Sequence, residues 1–310
     1  MGKWLKNILV LAIVGFLFWY LINHLDQLKE LLKLSPAKLA IMYFLTALIA
    51  FISAKAVQVF LAQLTIKAPL WEMFSLQNAA LLLNYAPMKF GTIFRANYLK
   101  RHFDLSYTHF AILFLYMTFL MTFAASIIGV IVILTAFGLT SYENKIIALV
   151  FLIIAVGSFA FLFFPLPVPK WQGKIFNLLR NFIAGKSQIT SNKKRIIITG
   201  LLLTLNFILT ATRLGIIYNA LSQQCNPAGF LVLGALGYSV LFIGLTPGGL
   251  GIRELVLTAG AVVIGLPLEV GLLAAVIDRM ITFSYVFIVG GICTIKLWRK
   301  SPDDFARNQD

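Results

Sequence analysis

Gly244-Leu245-Thr246-Pro247-Gly248-Gly249-Leu250-Gly251-Ile252-Arg253-Glu254 interrupts an otherwise apolar stretch over residues 229–266. Proline and three glycines cannot continue a helix there, and a charged pair follows at once. The stretch therefore reads as two short helices joined at a break. Leu83-Asn84-Tyr85-Ala86-Pro87-Met88-Lys89-Phe90-Gly91 does the same to residues 71–100. Both breaks have the form Pro-x-x-x-Gly, and each is followed by an arginine, Arg95 or Arg253. Irregular backbone at membrane depth is tolerated only where it is buried in protein or lines a wet cavity.

Outward from these breaks the chain is apolar. Of its 310 residues 60% are hydrophobic and 12% charged. A soluble domain is about 45–50% apolar and about 25% charged, so a soluble fold is excluded, and disorder is excluded by the same richness. A spanning helix needs about 20 mostly apolar residues. Segments 7–23, 38–64, 107–136, 146–165, 196–218 and 270–297 meet that need. The expected fold is all-α: a polytopic membrane bundle of six full spans plus two broken or re-entrant helical hairpins. It is a single integral membrane domain over 1–310. Repeat 1 covers about 1–165, a basic loop 166–195, repeat 2 about 196–300, and a short tail 301–310.

The formal net charge of +15 comes from 26 Lys and Arg against 11 Asp and Glu. In a soluble protein that would suggest nucleic acid. Here most of it follows the rule that cytoplasmic loops collect basic residues. Lys170, Lys174, Arg180, Lys186, Lys193, Lys194 and Arg195 share one acid-free loop; Lys3 and Lys6 flank the start, and Lys296, Arg299 and Lys300 the end. The assignment places both termini in the cytoplasm and makes the two hairpins open on opposite sides. The middle of the basic loop is expected to form a short amphipathic surface helix. The basic start runs into an apolar stretch without an A-x-A cleavage site, which reads as a retained signal anchor. Re-entrant hairpins and pairs of full spans give the same parity and stay open as alternatives.

Lys55, Lys89, Arg95, Arg213, Arg253 and Arg279 fall in or near apolar segments. An Arg or Lys at a helix centre costs about 2.5–3.5 kcal/mol on insertion scales. The embedded acids are Glu254 and Asp278. A surplus of embedded positive charge, with helix N-termini exposed at glycine-rich breaks, suits an anion. In a membrane the natural anion is a lipid phosphate. Paired broken helices entering from opposite sides are also the signature of inverted-repeat transporters. Structural readings stand beside these. Lys55 could snorkel; Lys89 and Arg95 could reach headgroups; Arg213 could anchor at the interface. Arg253 and Glu254 could be a structural pair. Asp278 and Arg279, adjacent on a helix, need separate partners. Asn84, Asn206 and Thr212 could be ordinary interhelical hydrogen-bonders.

Cys225 and Cys293 form no CxxC, and His24, His102 and His109 no cluster, so no metal site, disulfide framework or cofactor is indicated.

The two breaks resemble a known family. Pro247-Gly248-Gly249-Leu250-Gly251-Ile252-Arg253-Glu254 looks like the P-G-G-L-G-[VI]-R-E signature of the lysylphosphatidylglycerol synthetase transmembrane region, also called flippase-like. Asn84 to Gly91, leading to Arg95-Ala96-Asn97-Tyr98-Leu99, is similar to its first signature; Arg279-Met280-Ile281-Thr282 resembles its last-helix motif. Met88-Lys89 stands where Gly-Arg is usual, Thr92 where an acid is common, and Asp278 where an aromatic is common. The resemblance implies the lipid-translocating part without the soluble synthetase, since only ten residues, Ser301–Asp310, follow Lys300. It implies a multi-pass protein of a bacterial or archaeal plasma membrane, not an enzyme, with membrane lipid as partner and no nucleic acid. A homo-oligomer or a membrane-protein partner stays open.

The expected substrate site comprises Lys55, Asn84, Lys89, Arg95, Arg213, Arg253, Glu254, Asp278 and Arg279. The helix breaks are Pro87, Gly91, Pro247, Gly248, Gly249 and Gly251, and no residue is assigned to catalysis. The expected function is translocation of an anionic or aminoacylated phospholipid, or of a polyprenyl-phosphate-linked lipid. Two rivals are an intramembrane enzyme acting on lipid phosphates, for which Glu254 and Asp278 are the acids at hand, and a non-transporting partner protein docking through small-residue faces such as Gly290-Gly291.

Overall fold

The computed structural model describes residues 34–85, 90–164, 173–190, 192–221, 223, 226–240 and 251–299, the side chains of 174–179 excepted. The expected span 7–23 lies outside the described residues, as do Lys89 and the break residues Pro87, Pro247, Gly248 and Gly249. The described residues are helical throughout, without strands.

Local chemistry sets the helix ends. α1, Pro36–Leu61, starts on a proline whose fixed φ suits the first helical position; one 3-10 turn carries it to Leu64. α2, Leu70–Leu83, and α3, Phe90–Phe103, follow. α4, Tyr107–Val132, is capped by Ser106, whose hydroxyl accepts the His109 N–H. A π turn extends it to Phe137, where Gly138 at φ 69° ends it. Ser141 caps α5, Tyr142–Phe163, by accepting the Asn144 N–H. α6 is Lys174–Ile189. Asn192 caps α7, Lys193–Ala220, and Asn226 caps α8, Pro227–Ser239. α9 is Ile252–Val263. α10 runs Leu268–Arg299 through a π turn at Val286–Gly290.

Five of these helices are long and apolar enough to cross a membrane: Pro36–Leu64, Tyr107–Phe137, Tyr142–Phe163, Lys193–Ala220 and Leu268–Arg299. They coincide with the five expected spans that lie among the described residues. Even the shortest, at 22 residues, reaches about 33 Å at 1.5 Å per residue, enough for a hydrocarbon core about 30 Å thick. The hairpin helices are far shorter: 14 residues each in α2 and α3, 13 in α8 and 12 in α9.

α1 and α7 pack along one another. α2 packs on α1, on α3 and on the second half of α10; α8 packs on α4, α7 and α9; α9 packs on α10. α5 packs on α4 and leaves Leu149, Leu152, Ile153 and Val156 exposed, an apolar face suited to lipid. One apolar cluster gathers Phe60, Leu76, Leu99, Ile112 and Tyr116; a second gathers Leu214, Ile217, Leu233, Leu257 and Ile277.

Two close approaches require glycine. A Cβ on Gly91 would stand 1.8 Å from the carbonyl oxygen of Ala80, so α3 lies against the backbone of α2. A Cβ on Gly290 would stand 2.7 Å from the carbonyl oxygen of Asn78. Gly290 is therefore spent inside the molecule, which corrects its expected use as a face for a partner; Gly291 meets nothing within 4 Å.

Two residues of the basic loop, and Lys38 at the start of α1, cap helices. Lys186 donates to the carbonyls of Phe161 and, at 2.8 Å, Phe164 at the end of α5. Arg195 donates to the Ala62 carbonyl beyond α1. Lys38 reaches the Asn219 carbonyl in the last turn of α7 at 3.1 Å. Cations at helix C-termini satisfy orphan carbonyls and complement the dipole.

Candidate functional site

The second break delivers α9 through Gly251, whose φ of +83° a side chain would disfavour. The Gly251 N–H donates to Glu254 Oε2 at 2.9 Å, which satisfies an otherwise orphaned N-terminal donor. The other carboxylate oxygen of Glu254 pairs with Arg279 Nε on α10. One acid thus closes the first turn of α9 and ties it to its neighbour.

Arg253 does not pair with adjacent Glu254. Its Nη1 lies 2.8 Å from Asp278 Oδ2, while Arg213 Nη2 lies 2.8 Å from Asp278 Oδ1. Arg213 also donates through Nη1 to Thr46 Oγ1 at 2.7 Å. One carboxylate therefore joins α7, α9 and α10, with α1 attached through Thr46. The Asp278 side chain is 0% exposed, that of Arg213 5% and that of Arg253 25%. Arg213 is no interface anchor: it is buried against its ion-pair partner. Asp278 and Arg279 take separate partners because consecutive residues on a helix diverge by about 100°.

A polar ladder continues from this triad. Asn206 donates to Ile49 O at 2.9 Å and to Ser53 Oγ at 2.7 Å, bridging α7 to α1. Its carbonyl oxygen accepts from Tyr238 on α8 at 2.8 Å, and Thr210 Oγ1 lies 3.0 Å from the same phenol oxygen. Thr46, Ser53 and Tyr238 escape a reading that looks for embedded charge. Among the described residues Thr212 bonds only back to Ile208 of its own helix, at 2.9 Å, and joins no helices.

The first hairpin is built differently. The Asn84 side-chain Oδ1 accepts the Thr92 N–H at 3.1 Å, so Asn84 bridges the ends of α2 and α3 where Gly91 makes its close approach. Arg95 donates to Gln77 Oε1 at 2.7 Å, and Lys55 to Gln58 Oε1 at 2.8 Å. The Gln58 amide in turn donates to Ala68 O at 2.8 Å. Among the described residues neither Arg95 nor Lys55 pairs with a carboxylate. A neutral amide oxygen orients a cation without cancelling its charge.

Glu72 belongs with the embedded acids, which corrects the pair Glu254 and Asp278 expected from sequence. It is 5% exposed in the first turn of α2 and accepts from Tyr98 on α3 at 2.5 Å. The Tyr98 ring lies 4.3 Å from that of His102, one turn further on. Only five residues after exposed Lys67, Glu72 carries no sequence signal that separates a buried acid from a surface one.

The residues expected to form one site thus fall into two clusters. Arg213, Arg253, Glu254, Asp278 and Arg279 interlock; Asn84 and Arg95 sit on the first hairpin and Lys55 on α1 beside it. Among the described residues the charges involved are Lys55, Arg95, Arg213, Arg253 and Arg279 against the carboxylates of Glu72, Glu254 and Asp278. Glu72 narrows the surplus expected from sequence by one charge, and it stays positive. Cys293 is buried and free, and among the described residues no group of His, Cys, Asp and Glu could hold a metal ion.

The family model described as lysylphosphatidylglycerol synthase TM region matches residues 7–290, most of the chain. No curated protein matches it.

Proposed function

The chain belongs to the lysylphosphatidylglycerol synthase TM region family, and from that premise we propose that it carries a phosphate-bearing lipid between membrane leaflets. The substrate is an anionic or aminoacylated phospholipid, or a polyprenyl-phosphate-linked lipid, held by the two cationic hairpin clusters. One observation carries this reading. Arg95 and Lys55 are oriented by neutral amides, and Arg253, though paired, keeps a quarter of its side chain accessible. Cations left uncompensated in a membrane core are costly unless an anion visits them.

The short hairpins are the moving parts of the proposal. Helices of 12 to 14 residues span only about 18–21 Å, less than the hydrocarbon thickness, so each pair enters and turns back. With each hairpin in its own half of the chain, the halves are inverted repeats, and rocking one against the other exposes the clusters alternately. In this arrangement both termini lie in the cytoplasm of a bacterial or archaeal plasma membrane. The protein makes and breaks no bonds: Asp278 and Glu254, the acids a hydrolytic reading would enlist, are already committed to guanidinium groups.

The test is reconstitution in vesicles carrying headgroup-labelled phosphatidylglycerol or lysylphosphatidylglycerol in one leaflet. The wild type is expected to move at least one of them across, and Arg95→Gln with Arg253→Gln to slow that at least about tenfold, as loss of charge-assisted contacts predicts. Equal movement with and without protein overturns the proposal.

A further inference from the structure

We propose that Asp278 sets the substrate class of the second-hairpin cluster: a lipid bearing a phosphodiester, with one negative charge, in preference to a phosphomonoester with two. The inference rests on the lipid-anion reading above and adds to it which anion the cluster admits.

Asp278 presents one oxygen to each of two guanidinium groups, both at 2.8 Å. A phosphodiester would offer its two non-bridging oxygens to such a clamp in the same way. The carboxylate is thus a tethered anion already seated in an anion clamp. It consumes one of the two positive charges and leaves the triad of Arg213, Arg253 and Asp278 at a net of one positive charge. One phosphodiester brings that to neutrality. A dianionic monoester would overshoot by a full charge beside a carboxylate with no solvent exposure, where like-charge repulsion is least screened.

The clamp also has an open side. Exposure rises from 0% at Asp278 through 5% at Arg213 to 25% at Arg253, so a headgroup would meet Arg253 first. Gly237 of α8 lies alongside: a Cβ there would be 3.8 Å from Arg253 Nε, and its absence keeps that edge clear. The same carboxylate that stabilises the resting network limits how much further negative charge it accepts.

The experiment measures binding of spin-labelled phosphatidylglycerol and spin-labelled phosphatidic acid to the full chain in phosphatidylcholine nanodiscs, at alkaline pH where phosphatidic acid is a dianion. The wild type is expected to prefer phosphatidylglycerol by about tenfold, the scale of one unbalanced charge in a partly buried site. Asp278→Asn raises the cluster to two positive charges and is expected to reverse the preference. Arg213→Gln keeps the Asp278–Arg253 pair, which guards against misfolding, and lowers the cluster to neutrality; phosphatidylglycerol binding is expected to fall about tenfold. The double variant Arg213→Gln with Asp278→Asn returns to one positive charge and is expected to restore the wild-type preference. Excess soluble glycerophosphoglycerol is expected to leave the labelled lipid bound; displacement would make this a site for soluble anions and overturn the lipid assignment. A preference unchanged in Asp278→Asn and in Arg213→Gln overturns the inference alone. Binding of neither lipid by the wild type overturns the transport reading beneath it.

Discussion

Arg213 and Asp278 hold one another at 2.8 Å with their side chains 5% and 0% exposed. The pair is asymmetric, because Asp278 has a second guanidinium partner in Arg253 while Arg213 falls back on the neutral hydroxyl of Thr46. Removing either residue therefore has different consequences. Arg213→Met leaves Asp278 bonded to Arg253. Asp278→Asn strips the shared carboxylate from two guanidinium groups, one of them almost wholly buried. Breaking a buried pair that way costs about 3–5 kcal/mol, chiefly through the charge left behind. Thermal unfolding in detergent should rank Asp278→Asn as the more damaging by more than 1 kcal/mol, or about that. Equal losses would mean that Arg253 contributes nothing to holding Asp278.

Gly91 and Gly291 offer a matched pair of substitutions. A Cβ at Gly91 would lie 1.8 Å from Ala80 O and 2.6 Å from Asn84 Oδ1. The obstacle is backbone, so α3 would have to lift off α2. Gly91→Ala is expected to cost about 3 kcal/mol or more, the upper range for overpacking, and to abolish transport. Gly291 has open space around it, so Gly291→Ala is expected to be neutral or slightly stabilising through helix propensity. Unfolding curves of the two variants side by side check this; a tolerated Gly91→Ala would refute the close approach.

These positions also show what could be read from sequence. Spans of about 20 apolar residues announce themselves because the membrane fixes their length, and Pro87 to Gly91 and Pro247 to Gly251 stand out against that background. Gly91 was legible as a break but not as a contact, since its constraint is the Ala80 carbonyl eleven positions earlier. Partner choice was equally hidden. Arg253 ignores adjacent Glu254 for Asp278, twenty-five positions on, because neighbours along a helix point apart while helices packed side by side bring distant positions together. Glu72 gives no such signal, because burial there depends on α3 folding back and supplying Tyr98. Charge in an apolar stretch is visible in a sequence; the neutral groups that tune it, Gln77, Gln58 and Thr46, look like any other polar residue.

The Glu72–Tyr98 bond, 2.5 Å long, ties α2 to α3 away from the break. Tyr98→Phe removes one donor from a buried carboxylate and is expected to cost about 1–3 kcal/mol. Glu72→Gln keeps an acceptor and should cost less. The two should be non-additive, since both changes act on the same bond. A double-mutant cycle by chemical denaturation in mixed micelles gives the coupling; a value within error of zero would show that the bond contributes nothing to the hairpin.

Asn206 presents the opposite case, a neutral residue with many bonds. Its amide reaches Ile49 O and Ser53 Oγ on α1, and its carbonyl holds Tyr238 on α8. Each interhelical hydrogen bond in a membrane is worth little, about 0.6 kcal/mol on average, because the separated helices also find partners. Asn206→Leu is therefore expected to lower stability by only about 1–2 kcal/mol, well below Asp278→Asn. Its effect on transport is expected to be larger than that modest loss implies. Asn206 fixes the Tyr238 hydroxyl, and α8 also carries Gly237, which borders Arg253 Nε. Releasing Tyr238 frees the wall of the Arg253 edge without unfolding the bundle. Tyr238→Phe should reproduce the transport defect of Asn206→Leu, and Ser53→Ala, on the other side of Asn206, should not. Transport rates of the three variants in vesicles, normalised to folded protein, decide the matter: a defect in Ser53→Ala equal to that in Tyr238→Phe would place the role of Asn206 in joining α1 to α7 rather than in holding α8.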